Sequence, residues 1–302
     1  MISPGTKIRI AAVLAVSAVL FGWLGWRWIN GGPLPVVASV VLAPRPGTVV
    51  LSGLLLGVLA TAAGLVIGRP HGRYIAVLAL PAGLAVWAWQ SATMATLLAR
   101  HATVEERAML PSRLVWDVLC WAGVLVPAYL LAWLSGRAGS RAQRGKEGAS
   151  DWLARPGMRA AAGVAITCAA AAVLLSLLAR SEEVRGLYSN VGLLCVAPAK
   201  GQGTFAVAAA FFLGALAAHQ LVRAPVAPLL AAPVVVALAV YGLSGGLAGS
   251  QVGERAAQLV PVGLRLATIL PVQYVGVGTA GALAGYWYSV HLRHSRSGVS
   301  SG

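Results

Sequence analysis

The sequence predicts an all-α integral membrane protein of eight transmembrane helices, built as two tandem four-helix repeats in parallel orientation. Three observations carry this expectation. Only 10% of the 302 residues are charged while 58% are hydrophobic, whereas a soluble domain carries about 25% charged residues; a water-facing surface cannot be made from so few. Eight apolar runs are each long enough to cross a bilayer core, which takes about 20 residues as a helix. Landmarks of the first half of the chain also return, in order, in the second.

The runs are 8–28, 48–67, 74–98, 114–134, 160–179, 204–222, 226–247 and 267–289. Hydrocarbon offers the backbone no hydrogen-bond partner, so each run should be helical, and none shows the polar–apolar alternation of a membrane strand. The first run follows Lys7 and Arg9 and resembles a signal peptide in position. It exceeds the usual apolar core of about 7–15 residues. Trp23, Trp26 and Trp28 stand where small residues would mark cleavage. It reads as a retained span with an aromatic belt at its outer end. Two outer connections, 36–43 and 187–197, are apolar but too short to cross; they are expected to rest on the headgroups, with a re-entrant dip as the alternative.

Between the fourth and fifth runs, 136–159 turns basic, with Arg137, Arg141, Arg144, Lys146, Arg155 and Arg159 against Glu147 and Asp151. This segment divides a first unit, 1–135, from a second, 160–290, and a short basic tail, 291–302, follows. With the N-terminus inside, thirteen of the 23 Lys and Arg residues fall on the inner side and ten on the outer. Both termini are therefore expected on the cytoplasmic side, in a bacterial-type cytoplasmic membrane. The net charge of +15 is carried by short segments between apolar runs. That pattern fits topology signals and anionic lipid headgroups at the inner face, and it does not fit nucleic acid.

The repeat rests on matched landmarks. Arg9-Ile10-Ala11-Ala12 opens the first run and Arg159-Ala160-Ala161-Ala162 the fifth. Ala43-Pro44 with Gly47-Thr48 leads into the second run; Ala197-Pro198 with Gly203-Thr204 leads into the sixth. Val104-Glu105-Glu106-Arg107-Ala108, then Pro111 and Arg113, precedes the fourth; Val252-Gly253-Glu254-Arg255-Ala256, then Pro261 and Arg265, precedes the eighth. Four spans per unit, an even number, would give both copies the same orientation, related by a pseudo-two-fold along the membrane normal.

The residues most able to carry chemistry lie on the outer side: Glu105, Glu106, Arg107, Arg113 and Asp117 in one half, Glu254, Arg255 and Arg265 in the other. Glutamates beside arginines can hold a polar or anionic solute, or can pair with each other and fix a loop. Asp117 lies about a turn into the fourth run, where a carboxylate is costly unless paired, and Arg113, four residues earlier, is the expected partner. Within the spans, Gln90, His219 and Gln273 are the polar groups singled out, with helix–helix hydrogen bonding as the plainer account.

Other chemistries are excluded by absence. His71, His101, His291 and His294 sit near run ends, leaving His219 alone, so a bis-histidine haem is not supported. Lys7, Lys146 and Lys200 lie outside the spans, so no retinal-type Schiff base is expected. There is no H-E-x-x-H and no Walker A loop. Cys120, Cys168 and Cys195 have no C-x-x-C spacing and suggest neither a disulfide framework nor a zinc site. Gly242-Leu243-Ser244-Gly245 resembles a rhomboid-protease nucleophile motif, but His291 and His294 should lie a bilayer core of about 30 Å away, out of reach of a serine.

No metal or cofactor is expected and no motif identifies a reaction; a membrane enzyme with an interfacial site is the third reading, behind two non-enzymatic ones. The leading functional expectation is a permease-like protein moving or binding a small solute between its halves; the alternative is a non-catalytic subunit or scaffold that packs against another membrane protein or a second copy. The topology is directly testable. In a cysteine-free background, single cysteines at Gly148 and Gly298 should be labelled by an impermeant thiol reagent from the same side of the membrane. Labelling from opposite sides would refute the arrangement.

Overall fold

The computed structural model describes residues 4–29, 39–69, 72–91, 93–94, 96–97, 101, 104–131, 134, 156–179, 182–184, 195–197, 199–249 and 266–299. Helix α1 (Pro4–Ala18) continues through a π-helical segment (Val19–Gly25) into a last turn (Trp26–Ile29). Then come α2 (Pro46–Ile67), α3 (Gly72–Gln90), α4 (Val104–Val124) and α5 (Pro156–Leu178). A three-residue antiparallel pair follows, β1 (Glu182–Val184) and β2 (Cys195–Ala197), with Glu182 opposite Ala197. The chain ends with α6 (Lys200–Val222), α7 (Val226–Gly249), a second π-helical segment (Gln273–Gly278) and α8 (Thr279–Val299). The architecture is thus overwhelmingly helical.

Among the described residues, five helices are long and apolar enough to cross a membrane: Pro4–Trp28, Pro46–Ile67, Gly157–Leu178, Lys200–Val222 and Val226–Gly245. The other three expected spans fall short for identifiable reasons. The third run, expected to reach 98, bends at Ser91, so its helix is apolar only over Ile75–Gln90. Helix α4 begins at Val104 and takes in Glu105, Glu106, Arg107, Arg113 and Asp117. The eighth run does not enter a helix until Pro271, and α8 then runs on through His291, Arg293 and Arg296.

The packing is the reverse of a soluble bundle. On α2 the inward residues include Gly53, Gly57, Ala60, Thr61 and Gly64, while Leu51, Leu55, Val58, Leu59 and Val66 are exposed, Leu51 by 68%. Helix α6 repeats this with Gly203, Ala206, Ala210, Gly214 and Ala218 inward and Phe205, Leu213 and Leu221 outward. Water would penalise such continuous apolar faces. Lipid does not, and small inward residues let backbones approach, which is how helices associate where no hydrophobic force separates them from solvent.

Close approach is tightest at α8 and the π segment before it. A Cβ added to Gly276 would lie 2.8 Å from the backbone carbon of Leu84 in α3, and one added to Gly285 would collide with the carbonyl of Phe212 in α6. Helix α8 packs along α6, α5 along α6, α2 along α3 and α4 along α7. In the first half an aromatic cluster ties α1, α3 and α4 together: Trp87 meets Phe21, Trp26 and Trp121 edge-on at 6.1, 6.2 and 5.9 Å. In the second half Tyr241 of α7 and Tyr274 meet edge-on at 6.3 Å.

The turn 39–45 docks into the bundle, with Ser39 and Val40 buried and Leu42 and Ala43 packed on the core. Of the two outer connections, the described part of 36–43 therefore dips inward, contrary to the expectation of a loop resting on headgroups, because α4 supplies its backbone with a partner. Part of 187–197 forms β2; residues 187–194 lie outside the described residues.

Gly276→Leu should lower thermal stability in detergent by about 1–3 kcal/mol, the cost of overpacking. Gly123→Ala, whose Cβ would meet nothing within 4 Å, should leave it unchanged. Equal responses would refute the α3–α8 contact.

Candidate functional site

Asp117 is the one charged residue among those described that is completely buried. Its partners are not the expected ones. Oδ1 accepts from the backbone N–H of Val41 at 3.1 Å and from the hydroxyl of Ser39 at 3.3 Å. Ser39 Oγ in turn accepts the Leu42 N–H at 3.3 Å, closing a turn of the kind short hydroxyl residues favour. The expected pair with Arg113 does not form: Arg113 is exposed while the carboxylate turns inward to the part-buried backbone of the 39–42 turn. A non-helical backbone is tolerated at membrane depth only when something in the protein bonds it, and Asp117 does so for the 39–42 turn.

The second oxygen, Oδ2, has no hydrogen bond, nor has the indole Nε1 of Trp121 one turn along α4; the two groups are neighbours short of bonding geometry. Across the junction between the halves, Tyr241 of α7 is within electrostatic range of the carboxylate. Its hydroxyl donates to the carbonyl of Ile269, and that of Tyr274 donates to the carbonyl of Leu266 at 2.9 Å. A second irregular stretch, 266–270, is thereby held on the same principle as the 39–42 turn.

Gln273 belongs to that arrangement. Its Oε1 accepts the Leu270 N–H at 3.0 Å, three residues back, with Pro271 between them at the first helical position. This is the reach-back half of a capping box. Its Nε2 donates to Thr204 Oγ1 at 3.1 Å, tying α6 to the start of the last helix. Gln90 is half-buried at the end of α3 with its Oε1 unbonded. His219 bonds the Ala224 carbonyl through Nδ1 at 3.1 Å and packs on Tyr286 at 4.7 Å, at the far end of α6 from Gln273.

Of the outer charged cluster, the described residues show Asp117 buried against the 39–42 turn and Glu106 and Arg113 at the surface. The side chains of Glu105 and Arg107, and the whole of Glu254, Arg255 and Arg265, lie outside the described residues. Ser244 is buried and lies 14 residues, roughly 21 Å of helix, beyond Leu230, which packs with Leu283. His291 is two further turns past Leu283 and away from Ser244, so the serine-protease geometry is not met. Among the described residues no group of three His, Cys, Asp or Glu could hold a metal ion.

A cavity of about 500 Å³ lies between α4 and α7, lined by Ala122, Val126, Tyr129, Leu130, Ala227, Ala231, Val234 and Val235. None of the polar candidates reaches it. Tyr129 spends its hydroxyl on the Leu230 carbonyl at 2.7 Å, so the lining presents little but hydrocarbon. Ser39, Val41, Trp121 and Tyr241 are the residues around Asp117 that sequence reasoning missed. For Ser39 and Val41 the signal is the apolar stretch at 36–43, which is too short to span; Trp121 and Tyr241 lie outside it. No family model matches the chain, and no curated protein or solved structure matches it either.

Asp117→Ala should leave the part-buried Val41 N–H without its partner and cost about 1–3 kcal/mol, read as thermal unfolding in detergent. Arg113→Ala should stay within about 0.5 kcal/mol of the parent. A larger loss from Arg113→Ala than from Asp117→Ala would restore the ion-pair reading.

Proposed function

We propose that this is an eight-span membrane protein whose two four-helix halves form a fixed bundle, acting as a non-catalytic subunit or scaffold that packs against another membrane protein. The observation that carries the reading is the junction between the halves. There Gly276 lies against the Leu84 backbone, with Leu80, Leu84, Phe211 and Val275 fully buried around it. A solute path needs free polar groups or a gap at this depth; these four side chains are apolar, and the nearby Gln273, Tyr241 and Tyr274 are bonded to backbone. The groove between α4 and α7 suits a partner helix: Ala122, Ala227 and Ala231 allow close approach, and Val126, Leu130 and Val235 flank it.

Several features support the finer architecture. Helices α3, α4 and α8 lie packed among the five apolar ones, so a bilayer crossed by five is readily crossed by eight. The contacts α1–α2, α1–α3 and α2–α4 have counterparts in α5–α6, α5–α7 and α6–α8, and α3 with α8 exchanges with α4 with α7 under the same swap. The edge-on pair Trp87–Trp121 matches Tyr241–Tyr274, within the register of the sequence landmarks. The match is incomplete, since α2 packs along α3 whereas α6 and α7 diverge after their short turn. In this reading the basic 136–159 segment is the fusion linker, both termini are cytoplasmic by the positive-inside bias, and the membrane is of the bacterial cytoplasmic type.

A second reading, a permease-like protein, draws on one observation: the buried carboxylate of Asp117, with one oxygen unbonded and Tyr241 of the other half beside it. Spin labels on the lipid-facing positions Leu51 and Leu213, one in each half, separate the two. A fixed bundle should give one narrow distance distribution in liposomes whatever the pH or ion gradient; two exchanging populations would favour the permease. In the subunit reading, Ala231→Trp should release a partner that co-purifies with the parent protein while leaving thermal stability unchanged.

A further inference from the structure

The inner end of α6 carries a pair of arginines with donors to spare. Arg293 of α8 reaches back over the helix end: Nη2 donates to the carbonyls of His219 and Gln220 at 2.5 and 2.9 Å, and Nε donates to Gln220 Oε1 at 3.4 Å. Gln220 Nε2 donates to the Ser289 carbonyl at 3.2 Å, fixing the two helices together. The terminal carbonyls, which would repel an anion, are thus covered by a cation, and Nη1 is left without an acceptor among the described residues.

Arg223 follows directly. It is exposed, and among the described residues its guanidinium has no acceptor. It is also the non-glycine residue with a positive φ, 51°, at the position after a helix where glycine is preferred. A side chain is kept there against backbone preference. Arg223 and Arg293 are electrostatic neighbours, and burial, then the charge of Arg223, holds the Arg293 guanidinium below its ordinary value. Such a pair lacks an anion. Among the described residues the carboxylates are those of Glu106 and Asp117 in α4, away from this end of the bundle. Leu221, two residues before Arg223, is 71% exposed, so the cations stand at the edge of an apolar, lipid-facing surface.

We propose that Arg223 and Arg293 form a binding site for the phosphate of an anionic phospholipid, with the headgroup across the two guanidinium groups and the acyl chains along α6 beside Leu221. Planar guanidinium forks match phosphate oxygens in pairs, and juxtamembrane arginines draw anionic lipid. The site deepens the membrane reading above, since it takes α6 as a span, but it does not depend on whether the protein is a subunit or a permease.

The test is native mass spectrometry of the full chain in mild detergent, titrated with phosphatidylglycerol, phosphatidylcholine or inorganic phosphate. Phosphatidylglycerol should be retained over phosphatidylcholine. Arg223→Gly should reduce its retention about fivefold, the weight of one basic residue at an anionic surface, without lowering thermal stability, because glycine suits the left-handed position. Arg223→Lys should keep most of the retention. Unchanged retention in Arg223→Gly, or equal retention of the two lipids, would overturn the proposal. Binding of inorganic phosphate that depends on Arg223, with no preference for phosphatidylglycerol, would overturn the lipid assignment in favour of a soluble phosphate ligand. A variant that inserts in liposomes like the parent yet shows no lipid effect would sink this site alone and leave the membrane reading standing.

Discussion

Backbone contact between helices is the constraint on which the rest of this structure depends. In lipid a leucine gains nothing by turning inward, so the helices are held by dispersion between closely fitted surfaces. The approach of Gly276 to the backbone of Leu84 brings α3 of one half against the last helix of the other and so fixes the junction between them. The π-helical segments at Val19–Gly25 and Gln273–Gly278 fall at such crossings. Phe21 sits in one, against α3, and Gly276 in the other. A local widening of the helix re-aims side chains at the point where two backbones meet.

The polar residues inside the bundle serve the same end. Where the chain leaves helical geometry at membrane depth, its N–H and C=O groups need partners. Asp117 and Ser39 supply them to the 39–42 turn; Tyr241, Tyr274 and Gln273 supply them to 266–270. Most of the buried polar side chains that invite a functional reading are therefore already engaged by backbone. Asp117, with only one of its two oxygens used, and Gln90, with its Oε1 unbonded, are exceptions in part. Arg293 plays the corresponding role at the C-terminal end of α6, whose last carbonyls would otherwise be left unbonded.

Much of the helical layout was legible in the residue pattern. The starts and stops of α2, α5, α6 and α7 fall within a few residues of the apolar runs, because Pro46, Pro156 and the Ala224-Pro225 turn punctuate them and their interiors are uninterrupted. The third and eighth runs were read too long: Ser91 bends the chain, and Gln273 draws Leu270 into a cap that delays the last helix. The spacing of Arg113 and Asp117 was read correctly as one helix face, yet the pair does not form. A four-residue interval says which side chains are neighbours, not that a distant turn offers a better partner. The outer charges stand out because charges are scarce in this chain; Glu106, in the first turn of α4, and Arg113, near its middle, are exposed.

What the sequence by itself determined is the solvent and the local conformation. Long runs with almost no charge suit lipid as their solvent, and in lipid they must be helical to bond their own backbones. What only the tertiary structure decided is which helices touch, which turn Asp117 holds, and where two arginines come to share one helix end. Those outcomes depend on contacts between residues 70 or more positions apart, such as Asp117 with Val41 or Arg293 with Gln220. Many alanine- and glycine-rich faces are equally able to pack, and the sequence pattern ranks none of them above another until the backbones are brought together.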